Sequence, residues 1–448
     1  MESLHIRELG ILRDSEFDTT KPLILLAGPN RTGKTLVSYL MYGLSGFFNL
    51  RIDDYFKKSL NEKVIDKIKS DNIHAPILTE AFSQSELFLE ALLRFAEPNT
   101  SILFNIEPKS IEINYTFSIK DYFTPSDKKI ELDSQNPKPE FFPNQKTIEG
   151  QRRVATYFGE LAQLFTYMIK SSNAFFLPCE RLFATIIAED LVRANYVQVR
   201  NNVVYIASTL PDNEAPSRYT KPIMDYITFI DDLAYITRLN SKDTFIPIAD
   251  FLNRQLMGGQ VQWKADQRRL IFNEYRTNKE IPFHLSASGI KSLTGLELYL
   301  RHQCVGDGTD ILFFDEPELN LHPKAQRVVA RVIARMINAG IKVVVSTHSD
   351  YIISQLSNLV VLGSAYQKDP EKVIRWVEEH DLDYEREDFL LPDQVAPYHF
   401  DFVESGEYAQ ATLIPPTEEG FNFPSMDETI RHLSNEINLL YSTLLDDE

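Results

Sequence analysis

The chain alternates short, wholly apolar runs with longer stretches whose apolar positions recur at helical spacing. Three runs stand out: "PLILLA" at Pro22–Ala27, "ILFF" at Ile311–Phe314 and "IKVVVST" at Ile341–Thr347. Runs this short, without polar alternation and bounded by polar or small residues, predict strands covered on both faces, as in a parallel sheet. After the first run, Leu36, Val37, Leu40, Met41 and Leu44 mark one helical face. Ile290, Leu293, Leu296 and Leu300 mark another ahead of the second run, and a helix is expected from about Pro323.

The remainder reads differently. "SILFNIEPKSIEINYTFSIKDYF" alternates apolar and polar residues around a turn at Pro108-Lys109-Ser110 and predicts a hairpin. "QVQWKADQRRLIFNEY" predicts a second one. Helical patterns cover 61–96, 145–170 and 219–257, the last ending in Gly258-Gly259, with a proline-marked loop around 125–145. Near the end, Ser425 to Glu428 has the form of a capping box. Ile430, Leu433, Ile437, Leu440, Tyr441 and Leu444 then form one apolar stripe. It serves either packing on its own head or contact with another protein. There is no internal repeat and no heptad run long enough for a coiled-coil arm.

Candidate chemistry sits where apolar runs end. The first run leads into Gly28, Pro29, Asn30, Arg31, Thr32, Gly33, Lys34 and Thr35. A glycine, four residues, then Gly-Lys-Thr between a strand and a helix is the order of a phosphate-binding loop. The glycines let backbone N–H groups close around phosphates at a helix N-terminus. Lys34 is expected to reach the β- and γ-phosphates, and Thr35 to hold Mg²⁺. The second run ends on Asp315-Glu316. Adjacent carboxylates at a buried strand end are costly unless a cation neutralises them. Asp315 is therefore assigned to the Mg²⁺ shell and Glu316 to polarising the attacking water; the bland reading is an N-cap pair for the following helix. The third run ends beside His348, a candidate γ-phosphate sensor. "LSASGIKSL" is a serine-rich turn at a helix start, which is also plain capping chemistry.

Composition narrows the classes. A chain of 448 residues is too long for one ordinary core, so two or more lobes are expected. The formal charge of −18 argues against a protein that grips nucleic acid over a broad surface and favours protein partners. Two cysteines in no metal-like pairing suit a reducing cytoplasm. No apolar run approaches the ~20 residues of a membrane span, so no membrane partner is expected. The opening "MESLHIRELG" does not have the form of a signal peptide.

Taken together, "GPNRTGKT", "LSASGIKSL", "ILFFDEPELNLHP" and "VVVSTHS" resemble, in order, the Walker A, signature, Walker B with D-loop, and His-switch segments of ABC-type ATPase heads in the SMC, Rad50, RecF and OLD group. The "DEPExxLHP" form and "FFLPCERL" at Phe175–Leu182 look like the OLD-type and AAA_15-type ATPases of bacterial anti-phage systems. "LHIRELGIL" is similar to their first strand, which begins an antiparallel sheet. The tail "VAPYHFDFVESGEYAQATLIPPTEEGF" is similar too.

The resemblance implies an α/β fold: a P-loop head with a mixed sheet, an antiparallel β subdomain and a compact helical insertion. It implies residues 1–50 and 281–360 as the ATPase core, 51–280 as the insertion and 361–448 as C-terminal strands and helix. ATP and Mg²⁺ are the implied cofactors. A homodimer at least is implied, because the signature of one head completes the site of the other. The signature here has no Gly-Gly pair, so either Ser286 or Ser288 would face the γ-phosphate; Ser288, followed by Gly289, is preferred. The lone D-x-D, Asp381 and Asp383, follows a helical pattern rather than a strand, so a nuclease within the chain is not expected. The implied function is an ATPase that controls a separate toxic effector, a nuclease, in response to a phage trigger. The alternatives are a RecF-like ATPase that clamps DNA and an OLD-type nuclease–ATPase.

Overall fold

The apolar runs lie side by side. In the computed structural model they are β3 (Leu23–Ala27), β9 (Asp310–Asp315) and β10 (Lys342–Thr347), with β10 parallel to both neighbours. The structure describes residues 3–47, 111–114, 173–193, 219–236, 244–264, 269–306, 308, 310–403, 406–423 and 435–436. The helical patterns at 61–96 and 145–170, the loop near 125–145, the turn at 108–110 and the capped tail helix fall outside these residues, apart from 435–436.

Around the three central strands, β11 (Val395–Phe402) adds beside β3 and β5 (Asn173–Leu177) beside β9, both parallel. On the far side of β11 the sheet turns antiparallel through β12 (Ala409–Leu413). It continues through the hairpin β1 (Ser3–Leu9) and β2 (Leu12–Asp18), and ends at β4 (Ile111–Asn114). Among the described residues the order is β4-β1-β2-β12-β11-β3-β10-β9-β5, one mixed sheet. The fold is therefore α/β. β5 lies within the stretch read as an insertion, yet it is part of this sheet.

Two cores lie on the two faces of the sheet, because successive side chains of a strand point to opposite sides. Leu23, Leu25 and Ala27 enter one core; Ile24 and Leu26 enter the other. The second core is closed by α1 (Lys34–Phe47) and the hairpin, with Tyr42 edge-on to Phe176 and Phe313. The first core is larger. Packed in it are α3 (Lys221–Ile236), α4 (Ile246–Leu252), α5 (Ser288–His302), α6 (Pro323–Asn338) and α7 (Asp350–Lys368), after α2 (Arg181–Arg193), which also reaches it.

The helical pattern over 219–257 resolves into α3, α4 and a π-helical turn at Asn253–Met257, which ends on Gly258 at φ +66°. The second alternating segment forms β6 (Gly259–Lys264) and β7 (Arg269–Glu274); with β8 (Lys279–Pro282) they make a separate antiparallel sheet. Among the described residues no helix is long and apolar enough to cross a membrane.

Candidate functional site

Register brings the strand ends together. Thr347 of β10 pairs with Ala27 of β3, and Ser346 pairs with Asp315 of β9. The residues that follow, Gly28, Glu316 and His348, therefore emerge at one edge of the sheet. Ligands of open α/β sheets bind at such carboxyl ends.

The loop from Gly28 to Thr35 turns directly into α1, whose first residue is Lys34. Gly28 has φ +144°, and a Cβ there would lie 2.0 Å from the Phe400 carbonyl oxygen of β11. Only glycine fits this close approach. Gly33 has φ +98° and Arg31 φ +67°. Thr32 is buried and donates to the Pro29 carbonyl at 2.9 Å. Pro29, Asn30 and Arg31 are exposed, and Thr35 is half-buried at the start of α1. The Lys34 ammonium, 5% exposed, donates to the carbonyls of Gly28 (2.9 Å) and Pro29 (2.6 Å). Burial lowers its pKa to about 8, against the pull of Asp315, Glu316 and Glu318.

Asp315 is 1% exposed and accepts from the Ser346 hydroxyl. Burial pushes its pKa up to about 6, with Ser346 opposing and Glu316 reinforcing. Glu316 has φ +44°, a region that residues with a Cβ rarely enter, and its N–H donates to the Ser346 carbonyl at 2.9 Å. Its Oε1 lies 3.8 Å from His348 Nε2. The His348 pKa is lowered, first by burial and then by Lys34, so the imidazole is neutral at pH 7. Asp315 and Glu316 do not cap the next helix: His322 is the N-cap of α6.

Two residues outside the sequence-derived set hold this edge in place. Glu318 accepts from the His348 N–H at 2.7 Å and from the Thr347 hydroxyl at 2.9 Å, fixing the end of β10. Arg181 is 1% exposed and donates to the carbonyls of both Asp315 and Glu316. A charged residue just after an apolar strand was the available signal for Arg181, but its partners lie more than a hundred positions away. Glu318 is the third acid of the "DEPExxLHP" form, but its spacing does not show that it bonds the end of β10.

Of the two candidate serines, Ser286 is buried and donates to the Phe283 carbonyl at 2.6 Å. Ser288 is exposed in the first turn of α5, with Gly289 packed near Leu321 and Asn320. Asp383 is engaged elsewhere, paired with Arg331 at 2.9 Å. Among the described residues no cluster of three or more His, Cys, Asp or Glu is arranged to hold a metal by itself.

The donor set suits a nucleotide with a divalent cation. Lys34 makes no ion pair among the described residues and presents its charge to a loop that glycine leaves open. Asp315 is a dehydrated carboxylate whose pKa is raised first of all by burial. An anion at the loop and a cation at Asp315 would relieve both.

Residues 180–353 match the family profile described as "AAA ATPase domain", AAA_15. The match spans Arg181, the candidate signature, Asp315, Glu316 and His348; the phosphate-loop sequence precedes it. No curated protein matches the chain. Two solved structures are similar in arrangement at low identity. One is an SMC head bound to the C-terminal winged-helix domain of ScpA: 11% identity, 92% of this chain, 97% of that one, TM-score 0.38. The other is an Smc head domain with an extended coiled coil bound to the C-terminal domain of ScpA, derived from Pyrococcus furiosus: 10% identity, 97% and 98%, TM-score 0.34. At these scores neither likeness carries weight. The match to an AAA ATPase domain of the AAA_15 kind covers residues 180–353, and it takes in the paired carboxylates Asp315 and Glu316 that lie beside the strand–loop–helix of Gly28–Thr35.

Proposed function

We propose that the chain binds Mg²⁺–ATP at Gly28–Thr35 and Asp315, and hydrolyses it with Glu316 as general base. The convergence of Lys34, Asp315, Glu316 and His348 at the tips of three adjacent strands carries this reading. Bound Mg²⁺–ATP supplies a phosphoryl group whose charge the cation and Lys34 share. Lys34 exchanges its bonds to the loop carbonyls for phosphate oxygens. Thr35 and Asp315 hold the cation. The Glu316 carboxylate orients a water and takes its proton at an Oε atom. Neutral His348 stands beside it, with an imidazole able to donate to the transferred group.

Ser288 is exposed and Gly289 half-buried at the start of α5. We assign Ser288 to the site of a second copy, so that two heads enclose two nucleotides. A mixture of Lys34→Ala and Ser288→Arg chains then contains pairs with one intact composite site. Turnover should reappear on mixing; none in mixed dimers shown to form would refute the arrangement or the choice of serine.

Such an ATPase acts on others by having two states that a partner distinguishes. The charge of −18 and the resemblance to anti-phage ATPases support a regulator of a separate toxic nuclease released by a phage trigger. Co-expression with the product of the adjacent gene should give a stable complex whose toxicity depends on Lys34 and Glu316. Tight, weakly salt-dependent binding of duplex DNA would instead support a DNA-clamping ATPase. Mg²⁺-dependent nucleic-acid cleavage by the purified chain would return the effector to this polypeptide.

A further inference from the structure

We propose that Arg181 is the positioning residue for Glu316: it holds the backbone of the general base in its left-handed conformation and ties it to the signature helix. The role in turnover rests on the ATPase reading above; the backbone geometry does not.

The guanidinium is enclosed among three elements. Nε donates to the Ser292 carbonyl in α5 at 2.8 Å. One terminal nitrogen donates to Pro178 at 3.1 Å, in its own turn, and to Asp315 at 2.8 Å. The other donates to Glu316 at 2.9 Å. Four hydrogen bonds thus use four of the five N–H groups of an arginine. The guanidinium carbon lies 5.1 Å from the centre of the Phe314 ring, which fixes the plane of the fork.

The two Walker B bonds have a specific consequence. The Asp315 carbonyl belongs to the peptide plane before the Glu316 Cα, and the Glu316 carbonyl to the plane after it. One rigid fork holds both planes, and those planes define φ and ψ of Glu316. The Glu316 N–H is held from the other strand by Ser346. A non-glycine residue at φ +44° persists only where its surroundings impose it. Here the imposing groups are Arg181 and Ser346.

Among the described residues the cation has no carboxylate within ion-pair distance, and the four bonds named above all go to main-chain carbonyls. A fully buried charge bonded in this way is a poor choice for stability alone. It is a good choice for geometry, because a planar fork spans two peptides and a helix, whereas an ammonium is a single point of donation. Through Ser292, the same side chain links Glu316 to the helix that begins with Ser288. A shift of that helix would therefore be felt at the general base.

The test compares full-length wild type with Arg181→Lys, Glu316→Gln and the double variant. Turnover, affinity for a fluorescent ATP analogue with Mg²⁺, and amide hydrogen exchange are measured. Arg181→Lys should lower kcat by about a hundredfold while affinity stays within about threefold, the split expected when only the transition state loses support. The double variant should be no slower than Glu316→Gln, because Arg181 acts through that residue. Exchange should quicken in peptides covering 288–294 and 313–318 but not in 23–35. Multiplicative losses in the double variant, unchanged turnover with unchanged exchange, or parallel loss of affinity, turnover and melting temperature would overturn the proposal. If Arg181→Lys does not fold, Phe314→Leu loosens the fork while keeping the arginine. It should lower kcat several-fold at constant affinity and quicken the same two peptides, and no change in either measure rejects the idea. A wild type without turnover refutes the ATPase reading alone, and the exchange measurement then decides the role of Arg181.

Discussion

Two groups of charges, each with a buried centre, sit on the same fold and are built on opposite rules. At the C-terminal side of α6, Arg331 and Arg335 meet Asp383, Glu385 and Asp388. Asp388, wholly buried, pairs with both arginines, at 2.9 and 2.7 Å. Arg331 adds Asp383 and Arg335 adds Glu385, each at 2.9 Å. The ring of Phe251 lies under both guanidinium groups, 5.0 Å from one and 3.7 Å from the other. At the strand tips, by contrast, one lysine faces three carboxylates and forms an ion pair with none of them. Its own pKa is lowered, and those of Asp315 and Glu318 are raised by burial. The first group is saturated and joins α6 to the segment after α8 (Pro370–Glu379). In the second, Lys34 is bonded to loop carbonyls and Asp315 to a hydroxyl, with no pairing between them. Buried charge satisfied from within the chain holds structure; buried charge left unsatisfied marks a place for a ligand.

That contrast is broken most sharply at Lys34. Lys34→Ala should weaken nucleotide binding or turnover by about a thousandfold or more, since it removes the charge assigned to the phosphates. Equilibrium binding of a fluorescent ATP analogue checks this, and near-wild-type affinity with normal turnover would put the nucleotide elsewhere. Glu316→Gln should keep affinity within a few-fold and slow turnover by about 10²–10⁴-fold, because an amide cannot take the water's proton. The nucleotide-bound assembly should then accumulate on size exclusion. Turnover close to wild type would move the base to another group, with His348 next.

The saturated group should respond in the opposite way. Asp388→Ala leaves two buried arginines short of their shared partner and should cost about 3–5 kcal/mol of stability. Denaturant unfolding measures the loss. Nucleotide affinity of the molecules that remain folded should be unchanged, and a selective loss of affinity would erase the distinction between the two groups.

The smallest effect is on pH dependence. Burial pushes the Asp315 carboxyl in the free protein up to about 6, above the 3.8 of an exposed aspartate. Folded protein therefore holds an extra proton between about pH 4 and 6, and this group's contribution to stability falls as pH rises through that window. Cation binding needs the ionised form, so Mg²⁺-dependent affinity should weaken about tenfold per unit below about pH 6. Burial lowers the Lys34 pKa to about 8, below the 10.5 of an exposed lysine, so its contribution to stability rises with pH between these values. Phosphate binding needs the charged form, so affinity should also fall above about pH 8. Asp315→Asn should flatten the acid side alone; a profile unchanged by that substitution would remove Asp315 from the cation shell.

What the sequence determined by itself was local. The unbroken apolar runs become central strands because only residues covered on both faces can omit polar alternation. The glycine spacing is readable as a loop between β3 and α1, since glycine adopts the positive φ found at Gly28 and Gly33 at little cost. Pro323 marks the start of α6 for the same kind of reason. Tertiary structure decided the rest. Ser286 and Ser288 differ in setting only once the Ser286 hydroxyl is seen bonded to the Phe283 carbonyl. Asp383 becomes half of an ion pair only when α6 brings Arg331 to it. β5 enters the main sheet, although the segment around it reads as an insertion, because β9 presents an open parallel edge. Arg181 reaches two carbonyls 134 and 135 positions away. Periodicity reports which side of a segment is covered, but not by what. Register and long-range hydrogen bonds are set by the packing of whole elements, and no local pattern encodes them.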